Sequence, residues 1–322
     1  MRGLTIRGAL SAVAIFLLAG GAQAAAGAAA PGADHHIKTV FLILMENHNW
    51  TGDENSIKGA HHAPYINKVL IPMGSHANQY YNPPGNHPSL PNYIWLESGQ
   101  SFDLLHDGMP KNNGIDSTAH LSTLLDKAGI SWKAYLEDAP GDKCPLVNAG
   151  PTNASGNLSY AVRHEPFAYF NDVTDNQDHH SAHCIEHLRP FTELAADLQN
   201  DTVARYNFLT PNLCDDMHDG CKAGKVNNGD AWLATVVPQI LNSKAYQDGG
   251  VIFVAFDEAN TGDGPIPMIA ISPFAKGKGY SNDLPYTHSS MLRTVQEIFG
   301  VTPLLGDAAN AQDLSDLFTT FP

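Results

Sequence analysis

The stretch Val40-Phe41-Leu42-Ile43-Leu44-Met45-Glu46-Asn47 joins an apolar run directly to an acid and an amide. A second stretch, Val251-Ile252-Phe253-Val254-Ala255-Phe256-Asp257-Glu258, repeats this pattern with two acids. Both runs predict buried strands of an α/β sheet, in which ligands collect beyond the carboxyl ends of the strands. Each polar pair alone is also typical of a helix start. Together the two pairs predict one site for a divalent cation. Its ligands would be Glu46, Asn47, Asp257 and Glu258.

Between the two strands lies Asn86-His87-Pro88-Ser89-Leu90-Pro91-Asn92-Tyr93, a polar turn with one aliphatic hydroxyl group. Ser89 is a residue type that often caps a helix, and Pro91 is tolerated in a first helical turn. A hydroxyl at a helix start faces backbone amides and the positive end of the helix dipole, where a phosphate would bind. Ser89 is therefore predicted to be a nucleophile.

The rest of the chain alternates between helix and strand patterns. Apolar residues at helical spacing predict helices over Ser117–Ala128, Asp230–Leu241 and Ser289–Phe299. Strands are predicted over Ser131–Leu136 and Ile266–Ile271. This alternation predicts an α/β fold, with a mostly parallel central sheet and helices on both faces.

The first 24 residues predict a secretory signal peptide that is cleaved near Ala24. They contain two arginines, an apolar run from Ala9 to Leu18, and the small-residue pattern Ala22-Gln23-Ala24. The apolar run is too short to span a membrane, which takes about 20 residues. We therefore expect a secreted or periplasmic protein in which residues 25–322 form a single catalytic domain.

The composition is strongly acidic. The whole chain has a formal charge of −15, and loss of the predicted signal peptide leaves 16 basic against 33 acidic residues, a charge of −17. Such a surface repels nucleic acid and anionic membranes. We therefore expect neither a nucleic-acid partner nor stable membrane association. A small phosphorylated substrate would have to bind at a metal ion or at a cluster of histidines.

The four cysteines favour disulfide bonds, because their number is even and the chain is expected to be exported. Cys214 and Cys221 frame a short loop and are predicted to pair, which leaves Cys144 with Cys184. Between Ala139 and Pro190 the periodicity fades, and Gly, Asn, Pro and His dominate. Long irregular segments are often functional, so residues 139–190 predict a loop-rich lid region within the domain.

Three of the sixteen histidines stand out by their neighbours. They are His164 in Arg163-His164-Glu165-Pro166, His218 in Asp215-Asp216-Met217-His218-Asp219, and His288 just before the helix that starts at Ser289. Each alone is more often a structural or surface residue. The acidic neighbours of His218 predict a raised pKa, which suits a general acid or a phosphate ligand.

These residues resemble the motifs of the secreted acid phosphatase and phospholipase C family of phosphoesterases, which is related in fold to the alkaline-phosphatase-like enzymes. Met45-Glu46-Asn47 resembles the first metal motif of the family, and His87-Pro88-Ser89-Leu90-Pro91-Asn92-Tyr93 resembles the nucleophile segment of its shorter, phosphatase-type members. Further blocks are similar in the same order: Arg163-His164-Glu165-Pro166, Pro211-Asn212, Asp216-Met217-His218-Asp219, Gly229-Asp230-Ala231-Trp232-Leu233, Phe256-Asp257-Glu258 and Tyr286-Thr287-His288-Ser289-Ser290.

The resemblance implies roles for individual residues. One divalent metal ion would be held by Glu46, Asn47, Ser89, Asp257 and Glu258. The catalytic groups would be Ser89 as nucleophile with His164, His218 and His87, and the substrate would contact Asn86, Arg163 and His288. If Ser89 is not the nucleophile, His87 or Asn86 is the alternative close contact.

The predicted activity is that of a metal-dependent acid phosphatase, which hydrolyses phosphate monoesters through a phosphoserine. A phospholipase C-type phosphodiesterase acting on phospholipids and a phosphoinositide phosphatase are alternatives. An alternative of another class is a secreted protein that binds metal or phosphate without turnover. The hydroxyl, carboxylates and histidines together argue against this last alternative, because binding alone needs no nucleophile.

Overall fold

The computed structural model describes residues 1, 3, 35–52 and 56–322. Its strands are β1 (Thr39–Met45), β2 (Ser75–Tyr81), β3 (Trp132–Leu136), β4 (Ala149–Thr152), β5 (Leu158–Tyr160), β6 (Leu188–Pro190), β7 (Tyr206–Thr210), β8 (Gly250–Phe256), β9 (Met268–Ile271) and β10 (Tyr280–Thr287). Eight of them form the central sheet in the order β10-β2-β9-β8-β1-β7-β3-β6, and β4 pairs with β5 in a small separate sheet. All neighbours in the central sheet are parallel except β9, which is antiparallel to β8 and β2. The predicted mostly parallel sheet is confirmed.

The two strands that the apolar runs predict lie side by side at the centre of this sheet. Every residue of β1 and β8 is buried, as expected for strands that are covered on both faces. They pair in register, with Met45 opposite Phe256. The polar residues that follow each strand therefore begin at the same level of one sheet edge.

The strand predicted over Ile266–Ile271 begins later, at Met268, and is antiparallel. Pro267 has no N–H to donate to a neighbouring strand, and the N–H of Ile266 donates instead to the Tyr80 carbonyl at 2.7 Å. The edge strand β10 contains Pro285, a residue that sheets tolerate mainly at their edges. The sheet is therefore mixed at this end, which the sequence patterns did not predict.

The helices are α1 (Ile71–Met73), α2 (Ser89–Ser98), α3 (Pro110–Asn113), α4 (Leu121–Ala128), α5 (Ala182–His187), α6 (Leu194–Asn200), α7 (Lys225–Leu241), α8 (Lys244–Gln247) and α9 (His288–Phe299). The predicted last helix is α9, which ends at Gly300 in a left-handed conformation with φ of 64°. The predicted helix from Asp230 is α7 and begins earlier, at Lys225. Helices α2, α4 and α9 contact one another, while α7 contacts α6 and α8.

The helix predicted from Ser117 begins only at Leu121, after His120. His120 is buried, and its Nε2 atom lies 2.9 Å from an oxygen of Asp172. Burial opposes protonation of this ring, but hydrogen bonds with Asp172 and Glu97 outweigh it and raise the pKa above its ordinary value of 6.5. A buried polar cluster therefore marks the start of α4.

Residues 139–190 contain more regular structure than the sequence predicted. They include β4, β5 and α5, and β6 at their end joins the edge of the central sheet beside β3. The predicted disulfide bonds Cys144–Cys184 and Cys214–Cys221 are both present. That this region acts as a lid stays a prediction.

The predicted signal peptide, residues 1–24, falls almost wholly outside the residues that the structure describes. Within the described part of the chain, no helix combines the length and the apolar character that crossing a membrane requires.

Candidate active site

Two acids, Glu46 and Asp257, follow the adjacent strands β1 and β8. The parallel pairing continues into them, since the backbone N–H of Asp257 donates to the Met45 carbonyl at 2.9 Å. Asn47 has a positive φ of 39°, a region in which Asn is enriched. Its backbone N–H donates to Asp257 Oδ1 at 2.9 Å, and its side-chain amide donates to Glu258 Oε1 at 3.2 Å. The structure therefore brings together the four ligands that the strand ends predict.

Ser89 is the first residue of α2 and is only 3% exposed. Its hydroxyl donates a hydrogen bond to Glu46 Oε2 at 3.0 Å. One turn further along α2, the Tyr93 hydroxyl donates to Glu46 Oε1 at 2.9 Å, because residues four apart share one face of a helix. Pro88 occupies the capping position, so Ser89 does not cap the helix and its hydroxyl faces the carboxylates.

The start of α2 also contacts an ion pair. The backbone N–H of Leu90 donates to Asp107 Oδ1 at 3.0 Å, and Arg163 Nε lies 3.4 Å from Asp107 Oδ2. A carboxylate at this position is stabilised by the positive end of the helix dipole. Arg163 is thereby held near the residue that follows Ser89.

His164 lies between two carboxylates and is 1% exposed. Its Nε2 atom is 3.1 Å from Glu46 Oε1, and its Nδ1 atom is 3.1 Å from Asp216 Oδ2. Burial lowers the pKa of His164 well below its ordinary value, and the nearby Arg163 and His218 lower it further. His164 is therefore a neutral imidazole that faces the carboxylates, and its position does not favour the predicted contact with a phosphoryl group.

His218 keeps more access to solvent, with 30% of its side chain exposed. Its Nδ1 atom is 2.8 Å from Asp219 Oδ1, and its Nε2 atom is 3.3 Å from an Arg163 nitrogen. The side-chain amides of Asn153 and Asn157 donate to the other oxygen of Asp219. Burial lowers the pKa of His218 by more than the hydrogen bond with Asp219 raises it, so the predicted raised pKa is wrong.

His87 links Glu258 to Asp263 across the opening of the site. Its Nδ1 atom lies 2.6 Å from Glu258 Oε2, and its Nε2 atom lies 3.0 Å from Asp263 Oδ1. Burial opposes protonation of His87, but the two carboxylates outweigh it and raise the pKa. Asn92 also donates to Glu258 Oε2, and Asn86 donates to Asn92 Oδ1, each at 3.0 Å. Asn86 therefore supports Asn92 instead of presenting its amide to a substrate.

His288 lies beneath the site and is fully buried. Its Nδ1 atom is 2.9 Å from the Tyr80 hydroxyl, and its Nε2 atom is 2.5 Å from the Asp257 carbonyl oxygen. Burial lowers its pKa to about 4, so the ring is neutral. Because both ring nitrogens are engaged, this position disagrees with the predicted substrate contact and makes His288 a support for the backbone of Asp257.

The carboxylates of the site fit a divalent cation. Burial raises the pKa values of Glu46 and Asp216, and it raises that of Asp257 to about 6. Asp257 Oδ2 is buried and accepts no hydrogen bond from the residues that the structure describes. One ligand atom from each of Glu46, His164 and His218 also lies within 4.8 Å of the other two. A cation would offset the repulsion among these carboxylates, and oxygen donors with imidazole nearby suit Mg²⁺, Mn²⁺ or Zn²⁺.

The turn that carries Asp216 and His218 depends on a close approach of α7. Met217, between them, has a φ of 81°, which is unusual for a residue other than glycine. A Cβ atom at Gly229 in α7 would collide with the side chain of Met217. The absence of a side chain at position 229 therefore lets α7 pack directly against this turn.

Three contributors to the site lie in motifs quoted from the sequence, but no site role was predicted for them. Asp216 follows β7, which lies beside β1, so its carboxylate reaches the same sheet edge. Asn92 and Tyr93 lie three and four residues after Ser89, on the same face of α2. The helical spacing from Ser89 was a usable signal for these two residues, whereas Asp216 required the order of the strands.

The comparisons with known proteins agree with this geometry. Residues 70–302 match the model of the Phosphoesterase family, and the chain belongs to that family. In fold it resembles a protein of the alkaline phosphatase superfamily from Vibrio parahaemolyticus, with a TM-score of 0.56, 12% identity, and coverage of 89% of this chain and 71% of that one. The predicted family and the alkaline-phosphatase-like fold are confirmed.

Curated relatives are phosphatases. The phosphatidylinositol-3-phosphatase of Mycobacterium tuberculosis is 26% identical over 280 residues, which cover 87% of this chain and 82% of that protein. The phosphate-repressible acid phosphatase of Penicillium chrysogenum is 28% identical over 236 residues, which cover 69% of this chain and 51% of that protein. The chain thus matches most of the mycobacterial relative and about half the length of the fungal one.

Proposed function

We propose that this protein is a metal-dependent acid phosphatase that hydrolyses phosphate monoesters through a phosphoserine at Ser89. Its class, phosphoric monoester hydrolase, is supported by the family and by several acid phosphatase relatives. The observation that carries the proposal is the Ser89 hydroxyl, 3.0 Å from Glu46 Oε2 at the start of a helix. A hydroxyl there has an acceptor for its proton and faces the positive end of the helix dipole.

In the first step, Ser89 Oγ attacks phosphorus as the bond to the leaving oxygen breaks, and the hydroxyl proton passes to Glu46. Phosphoryl transfer depends mainly on positioning and charge stabilisation. Arg163 would bind phosphoryl oxygens, because its pairing with Asp107 holds it beside the start of α2. His87 would protonate the leaving oxygen from Nε2 once its hydrogen bond with the exposed Asp263 opens, since its pKa is raised and 38% of its side chain is exposed.

In the second step, water attacks the phosphoserine, and the Nε2 atom of His218 takes a proton from that water. The hydrogen bond between Nδ1 and Asp219 orients the ring, and Nε2 becomes the acceptor for the water proton when Arg163, whose nitrogen lies 3.3 Å away, turns to the phosphoryl oxygens. The lowered pKa of His218 keeps the ring neutral and able to act as a base. The Ser89 oxygen regains its proton from Glu46 as inorganic phosphate leaves.

The donor set suits one divalent cation of unspecified identity. Its ligands would be Glu46, Asn47, Ser89, Asp257 and Glu258. When bound, the cation would supply Lewis-acid stabilisation of the charge on the phosphoryl group. The buried Oδ2 atom of Asp257 supports this assignment, because no described residue donates a hydrogen bond to it.

The test compares hydrolysis of 4-nitrophenyl phosphate with that of its choline diester, at acidic and neutral pH. We expect turnover of the monoester, faster at acidic pH, abolished by a chelator and restored by a divalent cation. A preference for the diester would favour the phospholipase C-type phosphodiesterase. Hydrolysis of neither ester under any of these conditions would favour the binding protein without turnover.

A phosphoinositide monoester is the second candidate substrate. The observation that favours it is the match to the mycobacterial phosphatidylinositol-3-phosphatase over 82% of that protein's length. Release of phosphate from phosphatidylinositol 3-phosphate in mixed micelles, compared with release from 4-nitrophenyl phosphate, tests this candidate. A much higher kcat/KM for the lipid would make it the substrate, and turnover of the soluble ester alone would exclude it.

We also propose that the protein is exported after cleavage near Ala24. Both disulfide bonds support this, because such bonds persist mainly in oxidising compartments. N-terminal sequencing of the protein recovered from outside the cytoplasm would test it. A mature chain that still begins at Met1 would contradict cleavage.

A further inference from the structure

A second group of metal-binding side chains lies away from the candidate active site, between α4 and α5. One ligand atom from each of Asp126, His183 and His187 lies within 4.8 Å of the other two. His183 and His187 are four residues apart in α5 and share one face of that helix. Their ring centroids are 4.6 Å apart, and Asp126 Oδ2 lies 3.4 Å from His183 Nε2.

Trp132 orients two of these three side chains. The Nδ1 atom of His187 donates to the Trp132 carbonyl at 2.8 Å, so its Nε2 atom carries the free lone pair. The His187 ring also stacks on the Trp132 ring, with centroids 4.0 Å apart. The indole N–H of Trp132 donates to Asp126 Oδ1 at 2.8 Å, which leaves Oδ2 towards His183. A second hydrogen bond that fixes the ligating nitrogen is typical of histidines that bind metals.

We propose that Asp126, His183 and His187 form a second metal site, which binds a divalent transition-metal ion with the ligand preferences of Zn²⁺. Two imidazoles and one carboxylate suit Zn²⁺, whereas Mg²⁺ and Ca²⁺ prefer oxygen ligands alone. Ligand atoms of a tetrahedral zinc ion are roughly 3.3 Å apart, given bonds of about 2.0–2.1 Å. The separation between Asp126 and His183 is already near this value.

The position of the site indicates a structural role. With 39% of the Asp126 side chain and 34% of the His183 side chain exposed, an ion can enter from solvent. Asp126 belongs to α4, whereas α5 also carries Cys184 of the Cys144–Cys184 disulfide. A bound ion would therefore connect the C-terminal part of residues 139–190 to α4, next to the Cys144–Cys184 disulfide bond within that segment. Asp257 and Ser89 play no part in this site.

The test is a titration of the metal-free full-length protein with Zn²⁺ by isothermal calorimetry, with bound zinc counted by elemental analysis after dialysis. His183→Gln is compared with His180→Gln, because His180 is an exposed histidine just before the same helix. Both variants retain the candidate active site, so uptake there is common to them. We expect His180→Gln to bind as many equivalents as the unmodified protein and His183→Gln to bind one fewer.

Thermal unfolding gives an independent readout. Zn²⁺ should raise the Tm of the chelated protein and of His180→Gln by more than it raises the Tm of His183→Gln. If His183→Gln fails to fold, Asp126→Asn takes its place, since Asn can still accept the Trp132 hydrogen bond. Equal zinc stoichiometry in the control and in the folded site variant would overturn the proposal, and so would equal Zn²⁺-dependent shifts of Tm.

Discussion

Replacement of Ser89 by alanine separates a catalytic role from a structural one. The structural cost follows from the single hydrogen bond that the hydroxyl donates to the buried Glu46 carboxylate. Hydrogen bonds to charged groups contribute about 1.5–3 kcal/mol. A domain with a typical stability of about 5–15 kcal/mol would remain mostly folded after that loss. Loss of a purely structural serine would therefore leave most of the protein folded.

Loss of a nucleophile has a much larger effect. General acid–base groups contribute about 10²–10⁴ in rate, and we expect the nucleophile to exceed this range. A loss of at least about 10⁴-fold corresponds to about 5.4 kcal/mol in the activation free energy. This value exceeds the structural cost of the substitution, so the two roles give distinguishable results.

The assay measures kcat on 4-nitrophenyl phosphate for Ser89→Ala and for the matched control Ser98→Ala. Ser98 is a buried serine of the same helix whose hydroxyl bonds only to backbone carbonyls among the described residues. Acid-quenched reactions with a radiolabelled monoester should label the control and leave Ser89→Ala unlabelled. Activity of Ser89→Ala within about tenfold of the control would refute the assignment of the nucleophile.

Three further predictions concern other parts of the molecule. Asp257→Asn should lower kcat at least about 10²–10³-fold and reduce the metal content, and full retention of both would contradict the cation site. His218→Ala should retain measurable turnover, with a loss of about 10²–10⁴-fold, and no loss would remove its role as a base. His120→Ala should destabilise the fold by about 3–5 kcal/mol, because the buried carboxylate of Glu97 would lose its partner. The raised pKa of His120 places this stabilisation at low pH, so in urea denaturation the cost should be larger at acidic pH than at alkaline pH, and a reversed order would contradict the pairing.

The centre of the fold could be predicted because β1 and β8 carry continuous apolar runs. Strands that are buried on both faces need no polar residues, so their ends stand out where the acids begin. Strand β7 is also buried throughout, but it contains Asn207, whose amide donates to two backbone carbonyls. Asparagine is common in turns, so an asparagine within a strand weakens the prediction of that strand from the sequence. No strand was predicted over β7, so Asp216 had no predicted position at the sheet edge.

The sequence predicted the pKa shifts of the site residues less well than it predicted which residues belong to the site. The acids beside His218 are visible in the sequence, but the burial that lowers its pKa is a property of the folded chain and is not visible there. His288 precedes a predicted helix, yet the same position points it into the core towards Tyr80. The sequence shows which residues are neighbours along the chain, but it does not show how deeply each side chain is buried.

Gly229 in α7 has no reactive side chain, but its contact with Met217 lets it affect the candidate active site. A methyl group added at residue 229 would displace the neighbouring turn and change the orientation of both Asp216 and His218. Two residues earlier, the exposed Asn227 could be replaced without reaching that turn. Saturation mutagenesis of α7 should therefore show a steep loss of activity at Gly229, although this residue carries no reactive group.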